Sequence, residues 1–409
     1  MDCLPPLYWP PRVGGGRTAD GCGGKYHRRA AARPVRTEGN VKRAGLAAAA
    51  VAVAAAHYLV LWPVPADPVA WQAPVAPGYA GAHAANRRLD GLHRIALGDE
   101  HGPEHVAIGP DGLVYAAVAS GRILRLRPDG SGRDVHAETG GRVLGFAFDA
   151  AGDIIAADAT RGLIAIGADR RPRLLADRVD GDPIRYANSV AIGPAGLVYF
   201  TDASRRFAPR DWGGTFEASV LDIVEQSATG RVLVHDRARG TTRVVAHGLA
   251  FANGIALNST GDTLLVAETG RYRVWAIPAG ANALHLPTAL AQGTARVLLD
   301  NLPGYPDNIT RGRDGRYWLG LAKPRSGAVD ALAGLPALRQ MILRLPRQLW
   351  PVPPAYGHVL AFTAEGRIVA DLQDPTGAIP ETTGATETEG RLYVHSLHAP
   401  VLAWLRWTP

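Results

Sequence analysis

The chain has 409 residues, of which 47% are hydrophobic, so it is long enough for one large or two medium domains with an ordinary core. Its formal net charge of +7 suggests an acidic partner, but residues 1–43 hold nine Lys/Arg against three Asp/Glu and leave the remainder close to neutral. The folded part therefore has no electrostatic support for nucleic-acid binding. Since the only two cysteines, Cys3 and Cys22, precede it, it holds neither a disulfide nor a thiolate metal site.

The first 64 residues have their own composition. Residues 1–43 form a basic leader rich in Pro, Gly and Arg, which predicts disorder. Residues 44–64 follow without a charge and are long enough to cross a bilayer as a helix. Lys42 and Arg43 directly before this segment predict a cytoplasmic N-terminus and a body on the non-cytoplasmic, periplasmic or extracellular side. The alternative is a cleaved signal segment, which would give a secreted body.

The rest of the chain is repetitive. After a Pro- and Ala-rich linker over residues 65–88, residues 89–409 repeat a turn glycine followed by a short run of strand-forming residues. The six turn glycines, at intervals of about 40 to 75 residues, are Gly112, Gly152, Gly196, Gly261, Gly315 and Gly390. Each unit predicts a β-hairpin, and this spacing is typical of propeller blades. We therefore predict an all-β fold, a six-bladed β-propeller with an N-terminal membrane-anchor helix. An open β-sandwich is the alternative.

Two intervals are long because they contain insertions. Residues 204–227 expand the third unit, and residues 327–350 expand the fifth. The second insertion carries the only strong helical pattern in the body, with apolar residues near 3.6 spacing at Leu335, Leu338, Met341, Ile342 and Leu345. A helix on a propeller face either covers the channel as a lid or only packs against the blades.

Four of the six units carry an oxygen-bearing side chain at the same register, at the start of the strand that lines a propeller channel. These residues, each seven or eight positions before the turn glycine, are Glu104, Asn188, Asn253 and Asp307, with Asn308 adjacent. Equivalent repeats would bring them to one point on the axis. Carboxylate and amide oxygens without His or Cys are the ligands of a hard cation such as Ca²⁺. A single such residue more often caps a turn, but turn capping gives no reason for equal register in four repeats.

Several phrases resemble the strictosidine synthase-like family, which includes the adipocyte plasma membrane-associated proteins, within the wider gluconolactonase (regucalcin) and paraoxonase/arylesterase group. They are "FTDASRRF", "GLAFANGIAL", "LVAETGRYRVW", "LPGYPDNITR" and "RYWLGL". The resemblance covers residues 89–407. It implies a six-bladed propeller whose terminal strands close one blade and, in the hydrolase relatives, a Ca²⁺ ion in the channel. The family's metal positions fall on Glu104, Asn188, Asn253 and Asp307, with Asn308 as in the arylesterases. The anchor also matches the topology of the animal members.

Two departures from these relatives bear on the reaction. The plant synthases condense an amine with an aldehyde through a glutamate near the start of the last blade. That position falls near Thr383 here, and neither Glu381 nor Glu387 fits the register. The arylesterases use a channel histidine in the second blade, where this chain has Leu144. The departures disfavour condensation and leave the base of a hydrolase unidentified.

We therefore predict a Ca²⁺-dependent hydrolase of small-molecule esters or lactones, anchored to the membrane and without a nucleic-acid partner. A channel cation polarises the carbonyl and stabilises the developing negative charge. Another divalent cation is an alternative to Ca²⁺. The alternatives to this function are a condensing synthase and a non-catalytic propeller stabilised by Ca²⁺.

The candidates for the base are Asp307, His105 and His247. Asp307 would serve if it binds the metal only loosely. Strand alternation points His105 to the face opposite Glu104, which is typical of a core or surface histidine. His247 precedes the loop that carries Asn253. Asp158 and Asp202, which end the second strands of their hairpins, are expected to cap turns.

Overall fold

The structure is a computed structural model that describes residues 38–408, so most of the leader predicted to be disordered lies outside the described residues. Helix α1 (Glu38–Leu61) is rich in alanine, the best helix former. It contains a span, Val41–Leu61, that is long and apolar enough to cross a membrane. The chain divides into two units, one ending at Ala56 and one beginning at His57, and the second contains the propeller.

Strand β1 (His93–Ala96) is followed by the first two blades. Blade 1 consists of β2 (His105–Ile108), β3 (Val114–Ala117), β4 (Arg122–Leu126) and β5 (Asp134–Glu138). Blade 2 consists of β6 (Val143–Phe148), β7 (Ile154–Asp158), β8 (Gly162–Ile166) and β9 (Pro172–Ala176), and the short hairpin β10 (Arg178–Val179) and β11 (Asp182–Pro183) follows it. Neighbouring strands within each blade are antiparallel.

The next two blades have the same plan. Blade 3 consists of β12 (Ala187–Ile192), β13 (Leu197–Asp202), β14 (Gly230–Asp236) and β15 (Thr241–Leu249). Blade 4 consists of β16 (Ala252–Leu257), β17 (Thr263–Glu268), β18 (Arg273–Pro278) and an outer strand, which comes after β19 (Leu284–His285) and is β20 (Arg296–Leu299). The short β19 pairs in parallel with β15 at the outer edge of blade 3.

The last two blades complete the ring. Blade 5 consists of β21 (Gly304–Arg311), β22 (Arg316–Pro324), β23 (Gly357–Thr363) and β24 (Ile368–Asp374). Blade 6 consists of β25 (Thr382–Thr388), β26 (Gly390–Ser396), β27 (Val401–Trp407) and β1. The antiparallel pairing of β1 with β27 places His93 against Trp404, with ring centroids 4.2 Å apart. The predicted six-bladed propeller, closed by its two terminal strands, is confirmed.

The innermost strands β2, β6, β12, β16, β21 and β25 follow one another around the channel. Apolar side chains of adjacent blades fill the space between them, and Trp275 of blade 4 and Trp318 of blade 5 are fully buried there. Inner strands such as β7, β8 and β16 bury both of their faces and are therefore apolar nearly throughout.

Both insertions contain helices. The first forms α2 (Pro209–Trp212) and α3 (Thr215–Glu225), and residues 286–291 of blade 4 form α4 (Leu286–Ala291). The second insertion forms α5 (Gly327–Ala331) and α6 (Pro336–Arg344), which agrees with the predicted helical pattern. The sequence analysis did not predict α3, whose apolar positions surround two buried acidic residues, Asp222 and Glu225.

Residues 65–88, assigned to a linker from their composition, make specific contacts within the propeller unit. The fully buried Arg339 of α6 donates from Nη1 to the main-chain oxygen of Val224 at 2.6 Å and from Nη2 to the main-chain oxygen of Val69. A buried guanidinium whose donors meet main-chain oxygens holds both segments in place. This segment is therefore fixed against the helices of the two insertions.

Candidate metal centre

The propeller channel contains a cavity of about 340 Å³ at the end where the innermost strands begin. Glu104, Asn188, Asn253 and Asp307 all line it, and Asn308 lies beside Asp307 with its side chain fully buried. We call these five residues the oxygen cluster. They come from blades 1, 3, 4 and 5, so the equal register seen in the sequence corresponds to proximity in space.

A β-bulge positions the cluster in each of blades 3, 4 and 5. In blade 3 the register shifts between Ala187 and Val190, so that Asn188 and the next residue oppose a single residue of β13. The same shift surrounds Asn253 in blade 4 and Asp307 with Asn308 in blade 5. Bulges re-aim side chains, and here they direct the polar ones toward the channel. Hydrophobic alternation alone does not reveal them.

Glycine at one bulge permits close packing of two innermost strands. A Cβ atom on Gly254 would lie 2.3 Å from the main-chain nitrogen of Ile309 and 2.4 Å from the main-chain oxygen of Asp307. Gly254 follows Asn253 in the chain, so the close approach brings the blade 4 and blade 5 members of the cluster together. The site therefore requires a residue without a side chain at this position.

Hydrogen bonds hold the side-chain amide nitrogens of Asn253 and Asn308. The Nδ2 atom of Asn253 donates to Thr269 Oγ1 (3.2 Å), and Thr269 Oγ1 in turn donates to the Pro306 main-chain oxygen (2.6 Å). The Nδ2 atom of Asn308 donates to the main-chain oxygen of Glu104 (3.2 Å). The buried atoms without a hydrogen-bond partner among the described residues include Oδ1 of Asn188, Asn253 and Asn308. Leaving buried acceptors unmatched is costly, and a cation would satisfy all three.

Burial disfavours the charged forms of the two carboxylates of the cluster. Burial raises the pKa of Glu104 to about 7, although Arg142, whose Nη2 lies 3.3 Å from Glu104 Oε2, opposes the rise. Burial, followed by repulsion from Glu104, raises the pKa of Asp307 well above its ordinary value. A divalent cation between them would neutralise both charges. The donor set, the orphaned amide oxygens and the two carboxylates thus fit a hard cation.

Acidic residues at the ends of second strands hold the loops that lead into the site. Asp158 accepts from the main-chain nitrogen of Arg142 (3.1 Å), and Asp202 accepts from that of Tyr186 (2.9 Å). Glu268 does the same for Ala250 (2.8 Å). The expected capping role of Asp158 and Asp202 agrees with these contacts, which fix the entry into each innermost strand.

The structure does not bring His105 or His247 to this cavity. The strand alternation expected for His105 turns its ring toward Phe146 and His395, along the cavity at the other end of the channel. Burial there lowers the pKa of His105 to about 4. His247 lies on β15, the outer part of blade 3, beside His285. Of the three candidates for the base, only Asp307 lines the cavity.

The structure adds an acid–base pair that the sequence analysis missed. His398 lines the cavity, and its Nδ1 pairs with the carboxylate of Glu381, which also contacts Lys323 Nζ at 2.7 Å. The Glu381 carboxylate raises the pKa of His398. Burial alone would raise the pKa of Glu381, but His398 and Lys323 lower it. The hairpin topology of blade 6 could have predicted this pair, because the end of its second strand, β26, lies beside the start of its first strand, β25.

The two positions that depart from the relatives are both near the cluster. Leu144 lines the cavity as an apolar wall. Thr383 is buried, and its Oγ1 donates to the main-chain oxygen of Glu104 at 2.8 Å. Thr383 therefore supports a cluster residue and supplies no carboxylate.

A second, apolar cavity of about 140 Å³ shares Phe216, Phe251, Asn253 and Asp307 with the first. Most of its remaining lining comes from the insertions and from the loop after α6. These residues include Val220, Ile223, Val224, Val329, Ile342, Trp350 and Val352. Helices α3 and α6 thus both contribute to the wall of the channel mouth, as a lid would.

Two family models match the chain: "Strictosidine synthase-like, N-terminal" over residues 81–126 and "Strictosidine synthase" over residues 188–277. Among solved structures, a gluconolactonase from Xanthomonas campestris is 21% identical, covers 84% of this chain and 96% of its own, and superposes with a TM-score of 0.53. Regucalcin from Agrobacterium tumefaciens, a calcium-binding protein, is 16% identical, covers 78% and 93%, and superposes with a TM-score of 0.50. At these identities the likeness concerns the fold.

Curated relatives are more similar in sequence. The protein strictosidine synthase-like 10 of Arabidopsis thaliana is 31% identical over 340 residues, which cover 75% of this chain and 86% of the relative. The adipocyte plasma membrane-associated protein of Salmo salar is 30% identical over 353 residues, with coverage of 80% and 81%. The bovine protein of that name is 29% identical, with coverage of 84% and 85%. The chain belongs to the strictosidine synthase-like family of six-bladed β-propellers.

Proposed function

We propose that the protein is a Ca²⁺-dependent hydrolase of esters or lactones. The observation that carries the proposal is the oxygen cluster, in which three buried amide oxygens have no hydrogen-bond partner among the described residues and four of the five residues, two of them carboxylates, line one cavity. Such a set suits Ca²⁺, which takes six to eight oxygen ligands including water. A hydrolase needs this electrostatic stabilisation together with a base and a substrate cavity, and the same end of the channel offers both.

Glu104, Asn188, Asn253, Asp307 and Asn308 would hold the cation. When bound, it would polarise the substrate carbonyl and stabilise the negative charge that develops there. The chain adds a further donor, since Nη1 of Arg142 is buried on the cavity wall and has no hydrogen-bond partner among residues 38–408. In our proposal Arg142 orients the carbonyl oxygen through this atom.

We assign the base to His398 in place of Asp307, His105 or His247. Glu381 holds Nδ1 of His398, which fixes the tautomer and leaves Nε2 to take a proton from water. The imidazolium formed is stabilised by the adjacent carboxylate. Asp307, which shares the cluster with Glu104, stays with the cation.

The lining of the second cavity indicates the substrate class. It contains aromatic and aliphatic side chains from both insertions, and its charged groups other than the shared Asp307, which are Lys323 and Glu381, are paired with each other. An uncharged ester or lactone with an aryl or alkyl group would bury that group there, with the carbonyl at the oxygen cluster. A polar sugar lactone would leave hydroxyl groups unsatisfied against this wall.

The test is hydrolysis of aryl esters, alkyl lactones and sugar lactones by the purified full-length protein, with and without a chelator. We expect alkyl or aryl substrates to be hydrolysed, the chelator to abolish turnover, and Ca²⁺ to restore it. Asp307→Asn should lose activity, whereas Asp314→Asn, in the exposed turn of the same blade, should keep it. A chelator that lowers Tm without turnover of any substrate would indicate a structural ion. Formation of an amine–aldehyde product would identify a condensing synthase.

We also propose that Val41–Leu61 anchors the propeller to a membrane, with the propeller on the non-cytoplasmic side. The charge pattern of Lys42 and Arg43 supports this orientation. In sealed vesicles from the producing cell, added protease should degrade the propeller only when the non-cytoplasmic face of the membrane is exposed to it. A propeller degraded from the cytoplasmic side would reverse the orientation, and a propeller released by carbonate washing would indicate cleavage of the segment.

A further inference from the structure

Blade 5 carries a cluster of two histidines and one aspartate that the proposed reaction does not use. In this histidine cluster, Nδ1 of His83 lies 2.8 Å from Oδ2 of Asp371, and Nε2 of His358 lies 2.9 Å from the same oxygen. The three ligand atoms all lie within 4.8 Å of one another. His83 belongs to the segment before the propeller, whereas His358 is on β23 and Asp371 on β24. Three groups far apart in sequence thus converge on one point.

Neighbouring side chains fix the orientation of the carboxylate. Its second oxygen, Oδ1, accepts from Nε2 of Gln373 (2.5 Å) and from Nδ2 of Asn86 (3.3 Å), which leaves Oδ2 facing the two imidazoles. Gln373 is itself held, because its Oε1 accepts from the Tyr356 hydroxyl at 2.7 Å. Support of this kind is what orients carboxylate ligands in metal sites.

No lysine or arginine among residues 41–408 balances the negative charge of the Asp371 carboxylate. The side chain of Asp371 is only 7% exposed, and the ion-pair partners it has within residues 41–408 are the two histidines. The nearby Arg88 donates to the main-chain oxygen of Asp371 and not to its carboxylate. A buried carboxylate whose ionisable partners are two imidazoles has hydrogen bonds but no permanent positive charge to balance it. A cation bound at this point would supply that charge.

We propose that His83 Nδ1, His358 Nε2 and Asp371 Oδ2 bind a borderline divalent cation, with Zn²⁺ the best match. Two imidazole nitrogens and one carboxylate oxygen are a common ligand set of Zn²⁺, whereas Ca²⁺ prefers the oxygens found in the channel. Zn²⁺ bonds of about 2.0–2.2 Å at tetrahedral angles place neighbouring ligand atoms about 3.4 Å apart. The ligand atoms therefore need to separate by about half an ångström. His83, on the three-residue turn Gly81–His83, is the member with room to move.

Such an ion would join the segment before the propeller to blade 5. His83 and Asp371 are 288 residues apart, and the chain continues from His83 into β1, which completes blade 6. A ligand that binds only the folded state raises its stability, so Zn²⁺ would strengthen the closure of the ring. This role is separate from the channel, where Asp307 and its neighbours hold the other cation.

The experiment measures Zn²⁺ binding and Tm on the purified full-length protein after removal of metals. We expect about one Zn²⁺ per chain and, at 100 times Kd, a rise in Tm of about 3–8 °C. His83→Gln, at a partly exposed position, and Asp371→Asn should both lose the bound ion and the Tm rise. His93→Gln, the same change at an exposed histidine outside the cluster, should keep both. Asp307→Asn should also keep both, since it alters only the channel.

Three outcomes would overturn the proposal. Wild-type protein that binds no Zn²⁺ at micromolar concentration would show that the cluster is a hydrogen-bonded clamp. Bound Zn²⁺ that survives in His83→Gln would belong elsewhere, for example to Cys3 and Cys22 of the leader. A Tm rise of equal size in wild type and His83→Gln would have the same meaning.

Discussion

The side-chain amide of Asn308 in blade 5 donates a 3.2 Å hydrogen bond to the main-chain oxygen of Glu104 at the start of blade 1. Thr383 of blade 6 donates to the same oxygen at 2.8 Å. The Glu104 main chain is thereby fixed from two blades, while Glu104 itself lines the channel cavity and the Asn308 Oδ1 atom is buried without a hydrogen-bond partner among the described residues. These hydrogen bonds between blades explain how side chains from separate repeats share one site.

Thr269→Val tests the orientation of Asn253. The hydroxyl of Thr269 accepts from Asn253 Nδ2 and donates to the Pro306 oxygen, so its loss frees the amide and unpairs a carbonyl beside Asp307. We expect Ca²⁺ affinity, measured by calorimetry, to fall by about 10-fold or more. Thr263→Val, at the start of β17, the strand that ends directly before Thr269, is the matched control and should bind Ca²⁺ normally. Equal affinity in all three proteins would contradict the assigned orientation.

The two channel carboxylates of the metal-free protein should contribute less to stability as the pH rises. The folded-state pKa of Glu104 is about 7 and that of Asp307 is also raised, so both groups bind protons in the folded state that the unfolded chain has released. For Glu104 the stabilisation is complete below the ordinary carboxylate pKa of about 4 and is lost as the pH rises to about 7, a change on the order of 3 kcal/mol, and Asp307 adds a loss of the same sign. Thermal unfolding between pH 4.5 and 7.5 measures it.

The control for this pH dependence has to account for Asp222 and for His105, because the lowered pKa of His105 contributes a slope of the opposite sign. Burial raises the pKa of Asp222 in α3 to about 7 as well, so it contributes a slope of the same sign as the channel carboxylates. The double variant Glu104→Gln/Asp307→Asn should remove only the part due to the channel. Saturating Ca²⁺ should flatten the wild-type profile in the same way. A pH profile that neither the double variant nor Ca²⁺ changes would contradict the raised pKa values of Glu104 and Asp307.

His398→Gln and Glu381→Gln test the base. Since the base must be deprotonated, hydrolysis should rise with pH across the raised pKa of His398. We expect His398→Gln to lower kcat by about 10²- to 10⁴-fold and to abolish this rise. Glu381→Gln should shift the rise to lower pH, because the carboxylate that raises the pKa is removed. An unchanged pH profile in both variants would exclude the pair from proton transfer.

Gly254→Ala tests the close approach of blades 4 and 5. The added Cβ would lie 2.3 Å from the main-chain nitrogen of Ile309, so the two innermost strands would have to separate. We expect a loss of about 1–3 kcal/mol in the free energy of unfolding, together with weaker Ca²⁺ binding. Gly280→Ala, where a Cβ meets nothing within 4 Å, should be nearly neutral in denaturant unfolding. Similar effects in the two variants would show that the packing is tolerant.

The repeat and its register could be predicted from the sequence because the turn glycines and the polar residues before them recur at fixed offsets. Thus Asn188 and Asn253, 65 positions apart, were expected near the axis, and both line the channel cavity. The bulges could not be predicted, since one extra residue in an innermost strand hardly changes the amino-acid composition of that strand. His398 and Glu381 escaped notice because their pairing depends on how the last hairpin returns to the channel mouth. Helix α3 was missed because buried acidic residues such as Asp222 interrupt its apolar pattern.

The most direct measurement compares Ca²⁺ binding with Ca²⁺-dependent hydrolysis in one series of titrations on the full-length protein. We predict that the Ca²⁺ concentration for half-maximal hydrolysis of an aryl ester or alkyl lactone equals the calorimetric Kd. We also expect Thr269→Val to shift both values by the same factor. Hydrolysis that persists after complete chelation, or a half-maximal concentration that Thr269→Val leaves unchanged while the Kd rises, would contradict a catalytic metal in the channel.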